Sequence, residues 1–208
     1  RALQGAPCQF ILVGGCECCY NEGGKSGLYF AEDTEEAIMV LTIDTTAEHI
    51  GQEIAEELRR RDKNAVELEV IDTAGMHISH CVGCNYCWLK TPGVCAIHDD
   101  YEPILRKMSG ADQVWLVSDT HFGFVSWQTK NIVDRIMPLV TMYLKFKDGQ
   151  MRHVMRYDHQ PDLGVIYTGE GDQEYLKRWC QRTALNLGSR SLGVFSADNG
   201  KEAVSCML

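Results

Sequence analysis

Apolar positions gather in five short runs, residues 37–44 (AIMVLTID), 65–72 (AVELEVID), 113–118 (QVWLVS), 163–168 (LGVIYT) and 191–196 (SLGVFS). They are rich in Val, Ile and Leu and mostly lack the alternation of a strand with one wet face, so they predict strands buried on both faces of a parallel sheet. Helical patterns lie between them. Residues 48–61 carry Ile50, Ile54, Ala55 and Leu58 at helical spacing and end on Arg59, Arg60 and Arg61, as the helix dipole favours. Residues 99–108 open on two carboxylates with Pro103 in the first turn. Residues 126–143 read as a longer helix that Pro138 kinks or divides, and 172–187 end before Gly188, a residue suited to a left-handed cap. The alternation predicts an α/β, doubly wound, five-stranded parallel sheet with right-handed crossovers. Ligands of such sheets lie beyond the carboxyl ends of the strands.

Two stretches fall outside this repeat. An Asp148-Gly149 turn predicts a small hairpin within residues 145–155. Residues 1–36, with an apolar run at 9–13 and a Gly- and Cys-rich loop, read as an N-terminal extension of a domain at 37–208. An alternative register makes 10–13 the first strand and the Gly-rich segment to Gly27 a phosphate loop, but residues 37–72 already form a strand-helix-strand unit without it. Gly24-Lys25-Ser26 is not a triphosphate-binding loop, because the Gly required five positions before Gly24 is Cys19.

The 208 residues carry a formal net charge of −9, which disfavours a nucleic-acid partner. No apolar run approaches the roughly 20 residues of a membrane span, and no leader pattern opens the sequence, so a cytoplasmic protein with no membrane association is expected. Ten cysteines change the picture. A chain of this length needs no disulfide framework, so clustered Cys point to metal or cluster ligation or to redox chemistry.

The strongest motif is Cys81-Val-Gly-Cys84-Asn-Tyr-Cys87, followed across a Thr91-Pro92-Gly93 turn by Cys95. Two-residue spacers let successive thiolates converge on a small centre, and four thiolates suit a tetrahedral zinc or a four-iron cluster. Three Cys in tight succession favour the cluster, since a cubane presents separate iron corners; zinc and unligated, redox-active thiols stay open. Cys16, Cys18 and Cys19 read first as an incidental group, Cys180 and Cys206 as small buried or terminal residues. His80 is a neighbour able to tune the centre, Trp127 reads first as a core or interface residue and second as a shield for a flat ligand, and the Asp99-Asp100 pair reads as helix cap and dipole partners.

From Cys81 to Arg135 the sequence resembles the iron-sulfur flavoproteins and related NADPH-dependent FMN reductases of the flavodoxin-like superfamily. Shared features are the compact Cys cluster, a Cys followed by an Asp-Asp pair, an Ala-Asp before the third strand, and then Ser118, Phe122, Gly123, Ser126, Lys130, Asp134 and Arg135. The resemblance implies FMN along the loop after the third strand (Ser118, Asp119, Thr120, His121, Phe122 and Gly123) and the loop after the fourth (Tyr167, Thr168, Gly169 and Gly171). It also implies a 4Fe-4S cluster on Cys81, Cys84, Cys87 and Cys95. Two departures stand out. Asp119-Thr120-His121 replaces the family's Pro-x-Tyr, and the phosphate turn after the first strand reads Asp44-Thr45-Thr46-Ala47-Glu48-His49. There Thr45 and Thr46 are the candidate phosphate ligands, opposed by Asp44 and Glu48.

The expected function is that of a cytoplasmic redox protein passing electrons between cluster and FMN to reduce a small-molecule acceptor. A ferredoxin-like protein or NAD(P)H would be the donor, and the resemblance implies a homodimer or homotetramer. Two rivals remain: an NAD(P)H-dependent FMN, quinone or nitro reductase without a cluster, and a non-enzymatic electron carrier or redox sensor that lost the flavin.

Overall fold

A computed structural model describes residues 37–61 and 66–207. The readings made on residues 1–36, including the run at 9–13 and Cys16, Cys18 and Cys19, lie outside the described residues. All five expected strands form. In chain order the elements are β1 (Ile38–Asp44), α1 (Gly51–Arg61), β2 (Val66–Asp72), α2 (Tyr86–Leu89), α3 (Tyr101–Gly110), β3 (Gln113–His121), β4 (Phe124–Val125), α4 (Trp127–Asp134), β5 (Val140–Lys147), β6 (Gln150–Met155), β7 (Asp162–Thr168), α5 (Gln173–Asn186), β8 (Ser191–Ser196) and α6 (Gly200–Met207).

The main sheet runs β2-β1-β3-β7-β8, all parallel, which is the flavodoxin-like strand order. Its strands read as unbroken apolar runs because both faces are covered. Leu41, Ile43, Val114, Leu116, Leu163 and Val165 belong to one core with α3, α4 and α5. The alternating partners Val40, Trp115, Val117 and Ile166 belong to a second core with α1 and α6. The order reverses between β1 and β3, so a crevice opens beyond their carboxyl ends. Among the described residues no helix is long and apolar enough to cross a membrane.

Three expectations change. The helix expected over 126–143 stops at Asp134; Pro138 sits in a short 3-10 turn, and residues 140–147 join the hairpin instead, which therefore starts five residues earlier than expected. Pro138 cannot donate a helical bond, and the following Val-Thr-Met-Tyr run suits a strand. The hairpin turn itself holds Asp148 and Gly149 at φ of 53° and 73°, the left-handed pair that a two-residue turn of this hand requires. The stretch 118–123 is not a free loop: β3 continues to His121 and folds back at Phe122-Gly123, so that Thr120 pairs with Val125 and His121 with Phe124. Helices α2 and α6 have no counterpart in the sequence reading.

Trp115 is wholly buried in the β3 centre and lies over Gly164 of β7, where an added Cβ would run into its indole ring. Gly164→Ala is expected to destabilise the protein by about 1–3 kcal/mol through overpacking. Urea unfolding should show a lower midpoint at unchanged slope. An unchanged midpoint would mean that the indole has room to move.

Candidate functional site

The four cysteines stand on the long connection from β2 to α3, which has little regular structure and so must find partners for its backbone groups elsewhere. Gly83 and Asn85 take left-handed conformations, with φ of 65° and 59°, on either side of Cys84. These two residue types adopt that geometry at least cost, so the chain reverses twice within the motif. Gly93, at φ of 86°, donates its amide to the Cys87 carbonyl at 3.0 Å and so folds the Cys95 arm back onto the first three cysteines.

Two arginines fasten this loop to the fold. The Arg135 side chain, just after α4, is completely buried. It donates to the carbonyls of Ser79 (3.2 Å) and Ile97 (3.2 Å), to Asp99 Oδ2 (2.6 Å) and to Cys95 Sγ (3.5 Å). Its guanidinium lies 4.5 Å from the centre of the Tyr101 ring, whose hydroxyl donates to the Ile132 carbonyl. Arg156 donates to the carbonyls of Cys87 (3.3 Å) and Pro138 (2.9 Å). Trp88 adds an indole bond to the Met137 carbonyl, and Asn131 donates to the Ile78 carbonyl.

Asp99 and Asp100 were expected to cap α3, and only part of that holds. Asp99 Oδ1 accepts from the Tyr101 amide, but its Oδ2 accepts from the Ser79 amide and from Arg135, while Asp100 Oδ2 accepts from the His77 amide. The loop's own free amides compete for the carboxylates, and the pair ties the start of the loop to its end. Burial disfavours the Asp99 charge, yet the Arg135 hydrogen bond and the two amides hold it below the ordinary carboxylate range.

Cys81 and Cys84 are exposed; Cys87 and Cys95 are half-buried. Burial raises the Cys87 thiol, and Cys95, Cys81 and Cys84 raise it further, so all three lie within electrostatic reach of Cys87. Among the described residues no three His, Cys, Asp or Glu side chains converge tightly enough to grip a single ion.

A cavity of about 410 Å³ abuts the motif, walled by residues 76–80 on one side and by Trp127, Gln128, Asn131 and Ile132 on the other. It shares Thr73, Met76, Trp127 and Gln128 with a second cavity of about 330 Å³ at the β1/β3 crevice, which Thr45, Thr46, Ala47 and Asp119 line. Trp127 is 64% exposed on the rim of both, held there by Ser126, whose hydroxyl caps α4 by accepting from the Thr129 amide. The Gln128 Oε1 atom is buried without a hydrogen-bond partner among the described residues.

The structure brings only some of the expected flavin residues to this crevice. Thr45, Thr46 and Asp119 line it. Ser118 is fully buried and spends its hydroxyl inside the fold, on the Asp119 carbonyl and on Ser126 and Thr129. Thr120, His121, Phe122 and Gly123 form the β3-β4 hairpin, beside Gly169 and Gly171. There the glycines serve the protein's own packing: a Cβ on Gly169 would lie 2.8 Å from Thr120 Oγ1, and one on Gly171 2.6 Å from the Tyr167 ring. Tyr167 is buried, and the Thr168 carbonyl accepts from Thr120 Oγ1. Phe122 is fully exposed.

The β1-α1 loop does not fit a phosphate. Both Thr hydroxyls point inward, Thr45 Oγ1 to the Val117 carbonyl and Thr129, Thr46 Oγ1 to Asp44. The Thr46 and Gly51 amides donate to Asp44 and the Ala47 amide to Asp119, so these three donors are already taken up by the protein's own carboxylates.

Strand order, crevice and loop placement together define a flavodoxin-like α/β protein. The chain belongs to the NADPH-dependent FMN reductase family, whose model matches residues 43–156. An iron-sulfur flavoprotein of Methanocaldococcus jannaschii is 41% identical over 86 residues, covering 41% of this chain and 44% of the relative. One from Archaeoglobus fulgidus is 26% identical over 143 residues, covering 65% of this chain and 56% of the relative. The matches thus span about half the length of these curated relatives. Among solved structures, RosB with a bound formylriboflavin phosphate intermediate superposes at a TM-score of 0.55 and 14% identity, covering 77% of this chain and 64% of that one. An azoreductase from Bacillus anthracis gives 0.51 at 9% identity, with 81% and 93% covered. These two show the fold.

Arg135→Gln leaves Asp99 buried without its cation, and is expected to cost about 3–5 kcal/mol in chemical denaturation. The double variant Arg135→Gln/Asp99→Asn should recover part of that loss, because neither charge is then stranded. Strictly additive losses would show that the two residues act independently.

Proposed function

We propose that the protein is a flavin-dependent oxidoreductase in which a 4Fe-4S cluster on Cys81, Cys84, Cys87 and Cys95 exchanges electrons with a flavin in the adjoining crevice. The observation that carries this reading is the shared wall. Residues 76–80 run directly into Cys81 while lining a cavity that shares Thr73, Met76, Trp127 and Gln128 with the one at the β1/β3 crevice, so a ligand in the crevice and a centre on the cysteines would be neighbours. The iron-sulfur flavoprotein relatives and the FMN reductase family agree with it.

With both groups bound, the cluster supplies one-electron steps and the flavin couples them to two-electron chemistry. The chain's own residues set the surroundings. Arg135 places one buried cation against Cys95, offsetting part of the anionic charge that four thiolates bring. Trp127 covers one side of the crevice. The donor is a ferredoxin-like protein or NAD(P)H, and the acceptor a small molecule. The exposed Tyr143, Leu144, Phe146 and Met151 of the β5-β6 hairpin are the surface through which the expected second copy would associate.

Protein purified anaerobically should contain about four iron and four sulfide per chain, with broad charge-transfer absorption beneath any flavin bands. Cys84→Ser, at an exposed position of the loop, should lose that absorption while near-ultraviolet circular dichroism keeps the native signature. Zinc in place of iron, or a flavin spectrum without iron, would sink the cluster reading in favour of a reductase without a cluster.

A further inference from the structure

The amides at the start of a helix, backed by its dipole, are where a phosphate is ordinarily received. Here the chain fills that place with its own carboxylates. Asp44, only 2% exposed, accepts at 2.9 Å from the Thr46 amide, at 2.7 Å from its hydroxyl and at 2.6 Å from the amide of Gly51, the first residue of α1. Gly51 is what admits the carboxylate so closely, since a Cβ there would lie 2.8 Å from Asp44 Cβ and Oδ2. Asp119 comes in from β3 and accepts from the Ala47 amide at 2.9 Å. The Ile50 amide donates to Thr46 Oγ1. The cavity beside these groups is lined by Asp119 and by no Lys or Arg.

A phosphate dianion entering this loop would have to displace two hydrogen-bonded carboxylates or lie against them with no Lys or Arg to offset the repulsion, the imidazole of His49 on the cavity wall being already engaged by Asp72. The adjoining cavities carry no such obstacle on the side of Trp127, Gln128 and Met76, where uncharged surface dominates. We propose that Asp44 and Asp119 keep the 5′-phosphate of a flavin out of the β1-α1 loop, so that a flavin, FMN included, is held by its ring and ribityl chain alone and exchanges with solution. The inference rests on the flavin reading above and adds which part of the flavin is recognised.

The test is a titration of the full chain, purified without added flavin, with riboflavin and separately with FMN, following quenching of flavin fluorescence. Riboflavin should bind at least as tightly as FMN, whereas a loop giving two or more charge-assisted bonds to the phosphate would favour FMN by roughly a hundredfold. FMN affinity should rise with added salt as the like-charge repulsion is screened, while riboflavin affinity stays level. Asp119→Asn, a partly exposed position, should tighten FMN by about three- to tenfold and leave riboflavin unmoved. FMN binding more tightly than riboflavin to the unaltered chain overturns the inference and leaves the flavin reading standing. If neither flavin is quenched, both fall, and the iron and sulfide content of the same sample still decides the cluster.

Discussion

The cysteine loop depends on one buried ion pair, Arg135 with Asp99. Some 28 residues separate β2 from α3, and among them only α2 supplies regular hydrogen bonding. A connection of that length ordinarily stays on the surface with its backbone groups in water. Here part of it is drawn inward, and each carbonyl or amide removed from water needs a protein partner. Arg135 supplies donors to Ser79 and Ile97 on the two arms of the loop, and Asp99 supplies acceptors to Ser79 and Tyr101. The two charges satisfy each other and, through their remaining valences, fix where the loop begins and ends. A guanidinium suits this role because its planar fork spreads five N–H donors in fixed directions, whereas an ammonium gathers three on one compact point.

The pair also links the loop to the sheet. Arg135 follows directly on α4, whose N-cap Ser126 belongs to a buried hydroxyl network with Ser118, Thr129 and Thr45. That network joins the ends of β1 and β3 to the first turn of α4. The helix is therefore fixed at its start to the crevice and at its end to the cysteines. Trp127 and Gln128 at one end and Arg135 at the other lie about two turns apart on a single rigid element. Such a rigid helix gives the crevice and the thiols a fixed separation, which a flexible loop could not.

Much of the architecture was legible in the sequence because it rests on local pattern. The five parallel strands are buried on both faces, so Val-, Ile- and Leu-rich runs announce them, and the cysteine spacing needs no tertiary information. What escaped the sequence depends on contacts between distant segments. Residues 140–143 continue the apolar run that follows the α4 pattern, and their strand becomes plain only through the pairing of β5 with β6. That the Ser118 hydroxyl is engaged by Ser126 and Thr129 is likewise a contact no local pattern announces. Gly169 and Gly171 look like positions for close approach of a ligand, yet the neighbours that demand them are Thr120 and Tyr167. Arg135 carried a signal that was available: a lone cation between Ile132-Val133 and Ile136-Met137 implies a buried partner. Its partner, 36 residues earlier, was not deducible from spacing.

Charge connects the two halves of the site. Bound to a cluster, the four cysteines would bring several negative charges to one loop, and Arg135 is the buried cation set against one of them, Cys95. Along the crevice the charges are again negative, Asp44 and Asp119 at the β1-α1 loop, with Asp72 paired to His49 close by. In a chain whose formal net charge is −9, adding a phosphate dianion to the same crevice would concentrate anionic charge where no Lys or Arg lines the wall. The carboxylates that occupy the helix start are fixed by backbone amides and need no ligand to be satisfied. The loop is then structurally complete in the absence of a cofactor, and the crevice is free to bind the uncharged part of its ligand as a separate step. A family fold that ordinarily couples its first turn to a phosphate has here made that turn independent of it, and the anionic load beside the cysteines is correspondingly lower.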